Sequence, residues 1–396
     1  MKTLSKTELF IDVAYDSLIK KGEELCGDRV DTIRLEDSTI IVLADGLGSG
    51  VKANILASLT AKIASTMLKE GADIYETVDT IVNTLPVCKV RNIAYCTFTL
   101  MKIYNDGRAY IAEYDNPPFF LIRNGNDTYI DKKESIINEK RVVESQFTLQ
   151  EGDVLTVVSD GCIHAGIGNI LNLGWSWDNV QNYLTRNTRC RRSSKNIAKD
   201  LIQVCWDLYG GKPGDDTTVV CVKARKPEYI DLFTGPPKDP SHDSYIIKEF
   251  MSGTGKKIIC GGTTSNIASR ELGRELKVNL DFFDKDVPPT ATMDGIDLIT
   301  EGVLTISKAI EKLNDYEASF ESQEKNCDLE GKDGASRLVK MLIEDCTHFN
   351  LWVGKAINPA HQNPNFPIDF SIKLKLVNQL VDCMKRLGKY VSINYL

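Results

Sequence analysis

The chain has 396 residues, a formal net charge of −7 and a hydrophobic fraction of 42%. That length leaves room for about two or three domains, and the composition supports buried cores. The acidic balance argues against a general binder of nucleic acid or anionic membrane, since either partner demands clustered Lys and Arg.

The first segment is rich in short β-like runs. Thr39 to Ala44 (TIIVLA) is apolar and β-branched, as a buried strand should be. Residues 96–103, 108–114, 119–123, 154–159 and 218–224 have the same character, and turn signals such as Asn105-Asp106-Gly107 and Asn124-Gly125-Asn126 predict hairpins and antiparallel sheets. Residues 51–69 predict a helix, with Ile55, Leu56, Leu59, Ile63 and Met67 at helical spacing. Further helices are predicted over 177–184 and 194–208. Blocks of strands with helices outside them predict an α+β sandwich.

Residues 226–242 hold Pro227, Pro236, Pro237 and Pro240 without sustained periodicity and read as a linker. The remainder, 243–396, reads as a separate α/β domain. It has a strand over 256–260, a Gly261-Gly262 turn, helices over 264–276, 296–313, 334–345 and 372–387, Gly388 as a C-cap and a strand over 390–395. The polar stretch 317–335 reads as a loop. Backbone N–H groups and hydroxyls in Cys260 to Asn266 (CGGTTSN) suit an anion, but the run completes no phosphate-loop pattern, and a tight turn with a Thr or Ser N-cap explains it as well.

Four aspartates sit at predicted strand ends beside glycines. Asp45 opens the run DGLGSG directly after TIIVLA, Asp160-Gly161 follows VLTVVS, Asp215 lies in GDDTT before VVCV, and Gly27-Asp28 precedes the strand that leads to Asp45. Strand ends are rigid points from which carboxylates converge, and glycine admits a metal or phosphate to the backbone. Converging carboxylates repel unless a cation neutralises them, and hard oxygen ligands suit Mg²⁺ or Mn²⁺. Taken singly, each Asp-Gly is a common turn pair; the specificity lies in the ordered set.

That set, strongest in ADGLGSGVKA (44–53), SDGCIHAG (159–166) and DDTTVVCV (215–222), resembles the metal-dependent serine/threonine phosphatases of type 2C, in their bacterial SpoIIE-like branch, over about residues 10–225. The resemblance implies a β-sandwich flanked by helices with two Mn²⁺ or Mg²⁺ ions at one edge. Asp45 would bridge both ions, the Gly46 carbonyl would bind one, and Asp160 and Asp215 would complete the other's shell. Asp28 would contact the second ion directly or through water. Asp45, Asp160 and Asp215 are thus the expected catalytic set. His164 stands where relatives often carry an acidic residue. Glu24 and His164 are the only guesses for a general acid, and Lys52 for drawing in phosphate.

The expected partner is a phosphorylated regulatory protein, without nucleic acid or membrane, and with homodimerisation left open. No apolar stretch reaches the roughly 18 residues of a membrane span, and residues 1–10 lack a signal peptide's apolar core, so a cytoplasmic protein is expected. Eleven cysteines, without zinc-type spacing, are expected as reduced thiols, most of them buried. The basic run Arg189, Arg191, Arg192 and Lys195 reads as a solvated helix start. Two other readings compete with the enzyme: a phosphoprotein- or anion-binding protein with little turnover, and a sensor whose main activity lies in the C-terminal domain.

Overall fold

The computed structural model describes residues 8–84, 87–88, 93–94, 96–137, 140–188, 193–279, 285–318, 331–356 and 372–396. Arg189, Arg191, Arg192 and most of the predicted loop 317–335 lie outside the described residues. The chain divides into two compact units, Met1–Lys226 and Pro227–Leu396.

The N-terminal unit is built on two antiparallel sheets. One runs in the order Phe10–Leu18, Thr217–Arg225, Val154–Val158, Phe120–Arg123, Asn126–Asp127. The other runs Lys133–Ile137, Lys140–Thr148, Arg108–Tyr114, Cys96–Tyr104, Ser38–Gly46, Asp28–Arg34. Ser38–Gly46 is buried along almost its whole length because both of its faces are covered. Ile41 and Leu43 pack with Leu155, Val157, Val220 and Val222 between the sheets. Ile40, Val42 and Ala44 face the helices Gly50–Lys69 and Ile74–Thr84. Helices Trp177–Asn187 and Ser194–Leu208 cover the other sheet. The α+β sandwich flanked by helices is therefore the architecture observed.

The helix Gly50–Lys69 buries only part of the stripe its spacing predicts: Leu56 and Ile63 pack against the core and Met67 is half-buried. Val51, Ile55 and Leu59 are exposed, while Ala53, Ala57, Thr60, Ala61, Ala64 and Ser65 face inward. Small residues let the helix lie close on the sheet, and that contact decides its orientation over the larger apolar residues.

The C-terminal unit holds a seven-stranded sheet in the order Lys277–Val278, Ala291–Met293, Ile296–Thr300, Lys256–Cys260, Tyr229–Thr234, His348–Val353, Tyr390–Tyr395. The last five strands are parallel, and two antiparallel strands close one edge. Helices Val303–Ala318, Gly334–Glu344 and Ile372–Arg386 cover one face, and Asp243–Ser252 and Gly262–Leu272 the other.

Two expectations fail here. The stretch read as a linker supplies the central strand Tyr229–Thr234, because its prolines flank the apolar hexamer YIDLFT and leave every amide within it able to pair. Residues 296–313 are not one helix: IDLIT is a strand, and the helix starts at Val303, where Glu301 accepts hydrogen bonds from the N–H groups of Val303, Leu304 and Thr305.

On one face of this sheet, Lys257 pairs with Asp231 at 2.5 Å with both side chains buried. Asp231 also accepts from Asn350 at 3.0 Å and Trp352 at 3.3 Å. Removing the carboxylate leaves a buried ammonium uncompensated. Asp231→Ala is expected to destabilise this unit by about 3 kcal/mol or more. The measurement is urea unfolding followed through Trp352, the only tryptophan of the unit, in a protein whose other tryptophans are replaced by phenylalanine.

Candidate active site

The strand alternation that builds the inter-sheet core, carried to the strand ends, delivers the acidic residues. Ile41 and Leu43 point toward the second sheet, and two residues on, Asp45 takes the same face. Val30 points the same way, and so does Asp28, the register partner of Asp45. From the other sheet, Leu155 and Val157 lead through Ser159 to Asp160, and Val222 and Val220 lead back through Thr218 to Asp216 and Asp215.

Backbone contacts lock these ends together. Ser159 N–H donates to the Thr218 carbonyl at 2.9 Å, and Thr218 N–H donates to Ser159 Oγ at 2.8 Å. A side chain on Gly161 would run into the Asp216 carbonyl, and one on Gly46 into the Ala53 carbonyl. Glycine at both places is what lets the Asp160 turn close on Asp216 and the helix start close on Asp45. Gly46 N–H donates to the Gly27 carbonyl at 3.1 Å, and Tyr209 donates its hydroxyl to the Gly161 carbonyl at 2.7 Å.

The structure brings Asp28, Asp45, Asp160 and Asp215 into one electrostatic neighbourhood and adds Asp216. Burial pushes the Asp45 carboxyl up to about 10, with Asp28, Asp160, Asp215 and Asp216 all adding to the rise. Burial raises Asp28 to about 7, against the nearby hydroxyls of Ser159 and Thr218, which favour its charged form. Asp160 is exposed at the rim, yet partial desolvation and the Asp215 charge raise it too, while His164 opposes the rise. Asp216 is raised by burial.

Asp216 Oδ1 accepts from Lys20 N–H at 3.0 Å, and Lys20 Nζ lies 3.5 Å from Asp215 Oδ1. That ion pair is more than a third exposed and offsets little of the repulsion. In sequence, Asp215-Asp216 can equally be a cap or a turn, so nothing there singles out Asp216, and Lys20 lies in a loop with no periodicity to mark it. Glu23 touches the 46–50 loop, accepting from the Ser49 hydroxyl at 2.9 Å; Glu23 and Glu24 are both exposed.

Among the described residues, no three His, Cys, Asp or Glu side chains stand ready-made around an ion position. The donor set nevertheless fits hard divalent cations. Both carboxylate oxygens of Asp28 and Oδ2 of Asp216 are buried without a hydrogen-bond partner at ordinary geometry. Oxygen donors left in this state are the kind a Mg²⁺ or Mn²⁺ ion would satisfy.

Residues 36–225 match the family model of stage II sporulation protein E (SpoIIE). Among solved structures, the chain is similar to the PP2C phosphatase domain, with a regulatory-domain fragment, of the cell fate determinant SpoIIE from Bacillus subtilis. Identity is 22%, coverage 55% of this chain and 63% of that one, and the TM-score 0.47. It is also similar to RsbU and RsbW domains from Mycobacterium tuberculosis, with 16% identity, coverage of 62% and 69%, and TM-score 0.47. The S. agalactiae serine/threonine phosphatase shows 15% identity, coverage of 54% and 99%, and TM-score 0.39. The chain thus spans just under two thirds of the first of these structures. Among curated proteins, none matches the chain in sequence.

The raised carboxyls set a pH dependence. Without divalent ions the folded protein holds protons on Asp28 and Asp45 that the unfolded chain, at an ordinary value of 3.8, has lost. Stability from these groups is therefore greatest below about pH 4 and falls as pH rises, for Asp28 through about 7 and for Asp45 through about 10. Saturating MgCl₂ is expected to raise the melting temperature more at pH 8 than at pH 5. Equal shifts at both pH values, or none, would show that the carboxylates do not act together on a cation.

Proposed function

We propose, from the match of residues 36–225 to the SpoIIE family model, that this protein is a metal-dependent phosphoprotein phosphatase of bacterial signalling that hydrolyses phosphoserine or phosphothreonine. The observation that carries this reading is the convergence of Asp28, Asp45, Asp160, Asp215 and Asp216 from two sheets on Asp45, whose carboxyl all the others push upward.

Asp28, Asp45, Asp160 and Asp215 would hold two Mn²⁺ or Mg²⁺ ions, with the Gly46 carbonyl as a further donor. When bound, the ions supply the positive charge that acidifies a water molecule and neutralises the phosphoryl oxygens. The chain's own part is placement. Ser159 and Thr218 fix the Asp160 and Asp215 ends to each other. The helix Gly50–Lys69 begins beside Asp45 without a side-chain cap from Ser49, which donates its hydroxyl to Glu23 instead, and the Glu23 carboxylate lies against Gly50 at that helix start. Lys52 stands exposed in that first turn and adds positive charge there. None of the cysteines is needed as a nucleophile; Cys26 and Cys96, beside the carboxylates, have thiols pushed up by burial and by the neighbouring acids, which disfavours the thiolate.

The test is hydrolysis of an aryl phosphate and of a phosphoserine peptide, with and without Mn²⁺. Asp45→Asn is expected to lower kcat/KM by at least about a hundredfold, since even residues behind the ligands cost 10- to 100-fold when removed. A folded, Mn²⁺-loaded protein that binds the phosphopeptide without turning it over would replace this reading with that of a phosphoprotein-binding module.

A further inference from the structure

In the C-terminal unit the chain winds outward from the central strand Tyr229–Thr234 to Lys256–Cys260 and Ile296–Thr300. It then returns to the other side for His348–Val353 and Tyr390–Tyr395. In sheets wound this way, the carboxyl ends beside the reversal form a crevice suited to ligands. Four of these strands run into glycine within two residues, at Gly235, Gly261-Gly262, Gly302 and Gly354. Packing accounts for Gly354, whose side chain would collide with the carbonyls of Gly235 and Pro236. It does not account for Gly262, where an added Cβ would meet nothing within 4 Å and φ is ordinary.

The bare Gly262 opens the helix Gly262–Leu272. Its N-cap is Gly261, and no Thr or Ser caps it, contrary to the sequence reading. Ser265 N–H is taken by the Gly261 carbonyl at 2.9 Å, while the N–H groups of Gly262, Thr263 and Thr264 have no acceptor among the described residues.

Two groups outside this set of amides point to an anion. The Thr264 hydroxyl is fully buried without a partner and turns back to lie 3.5 Å from where a side chain on Gly261 would begin. Lys373 is half-buried, donates to the Gly354 carbonyl, and lies where a side chain on Gly235 would strike it. Among the described residues no carboxylate pairs with Lys373, and burial holds its ammonium below the usual lysine range. Thr234 and Cys260 are register partners, so Gly235 and Gly261 follow on neighbouring strand ends. The adjacent Glu301 carboxylate is engaged by the N–H groups of the next helix, at 2.8 to 3.3 Å.

We propose that the C-terminal unit binds the phosphate group of a small molecule at this crevice, with the Gly262–Thr264 amides and the Thr264 hydroxyl on one side and Lys373 on the other. Amides at a helix start and an ammonium without a carboxylate partner among the described residues both favour a dianion. Free pyrophosphate and a nucleoside diphosphate share this chemistry.

The experiment is calorimetric titration of the full chain carrying Asp45→Asn, in EDTA, with ADP and with inorganic pyrophosphate. These conditions silence the carboxylate site, so the result is independent of the phosphatase reading. Saturable binding of either probe is expected, with Kd raised by at least about tenfold in Gly262→Glu and in Lys373→Ala. The Gly262→Glu side chain enters open space, and an acid in the first turn favours the helix, so the unliganded melting temperature should hold or rise. Equal binding of both probes assigns recognition to the phosphate alone, and binding of ADP only assigns it to the nucleotide. The proposal is overturned by no saturable heat with either probe, or by unchanged affinity in a normally melting Gly262→Glu.

Discussion

The repulsion among carboxylates at the open edge of the N-terminal sandwich is the constraint around which that unit is organised. Asp28, Asp45, Asp160, Asp215 and Asp216 are brought to one place by strand alternation and held there by contacts that involve no charge: glycine-permitted backbone approaches at Gly46 and Gly161, and the reciprocal bonds of Ser159 and Thr218. Among the described residues the fold relieves little of the repulsion with its own cations, since the Lys20–Asp215 pair is more than a third exposed. Two ways remain to lower the energy, proton uptake or binding of a divalent cation. A scaffold that spends stability to hold charges together is one in which ligand binding and stability are linked.

The parts of this arrangement legible in the sequence are those in which one local signal suffices. TIIVLA announces a strand buried on both faces, and the Asp-Gly pairs that follow strands announce carboxylates at rigid ends. The parts that were not legible depend on what lies across the fold. Asp216 looks like half of a turn until Lys20 and the Asp160 turn are placed around it. The helix Gly50–Lys69 shows an apolar stripe at helical spacing, yet its fully buried face is mostly alanine, serine and threonine, with Leu56 and Ile63 only partly buried and Ile55 and Leu59 left exposed, because closeness to the sheet outweighs side-chain size there. The central strand Tyr229–Thr234 was hidden by proline density, a signal that distinguishes a linker from a strand only by which amides the prolines remove.

The C-terminal unit treats buried charge differently. Its polar residues on one sheet face run across strands as register partners, Lys257 to Asp231 to Asn350, with Ser392 donating to Asn350 at 2.7 Å. Each member finds its partner on the next strand, so sliding one strand by one residue would break the chain of bonds and turn its members to the other face. Such a ladder adds little net energy over apolar packing, but it penalises the wrong register.

The two units thus place unmet polar demand at strand ends in opposite senses. The N-terminal edge collects oxygens that want positive charge, with Asp28 and Asp216 oxygens buried and unpartnered. The C-terminal edge collects donors that want negative charge: among the described residues, uncapped amides, an orphan threonine hydroxyl and a lysine with a carbonyl but no carboxylate as partner. Strand interiors can satisfy their backbone groups from neighbouring strands, whereas strand ends cannot. Glycine at those ends removes the side chains that would otherwise fill the space. The same sequence device, a β-branched strand running into glycine, therefore builds a cation-seeking edge where aspartate accompanies the glycine and an anion-seeking edge where threonine and a helix start accompany it.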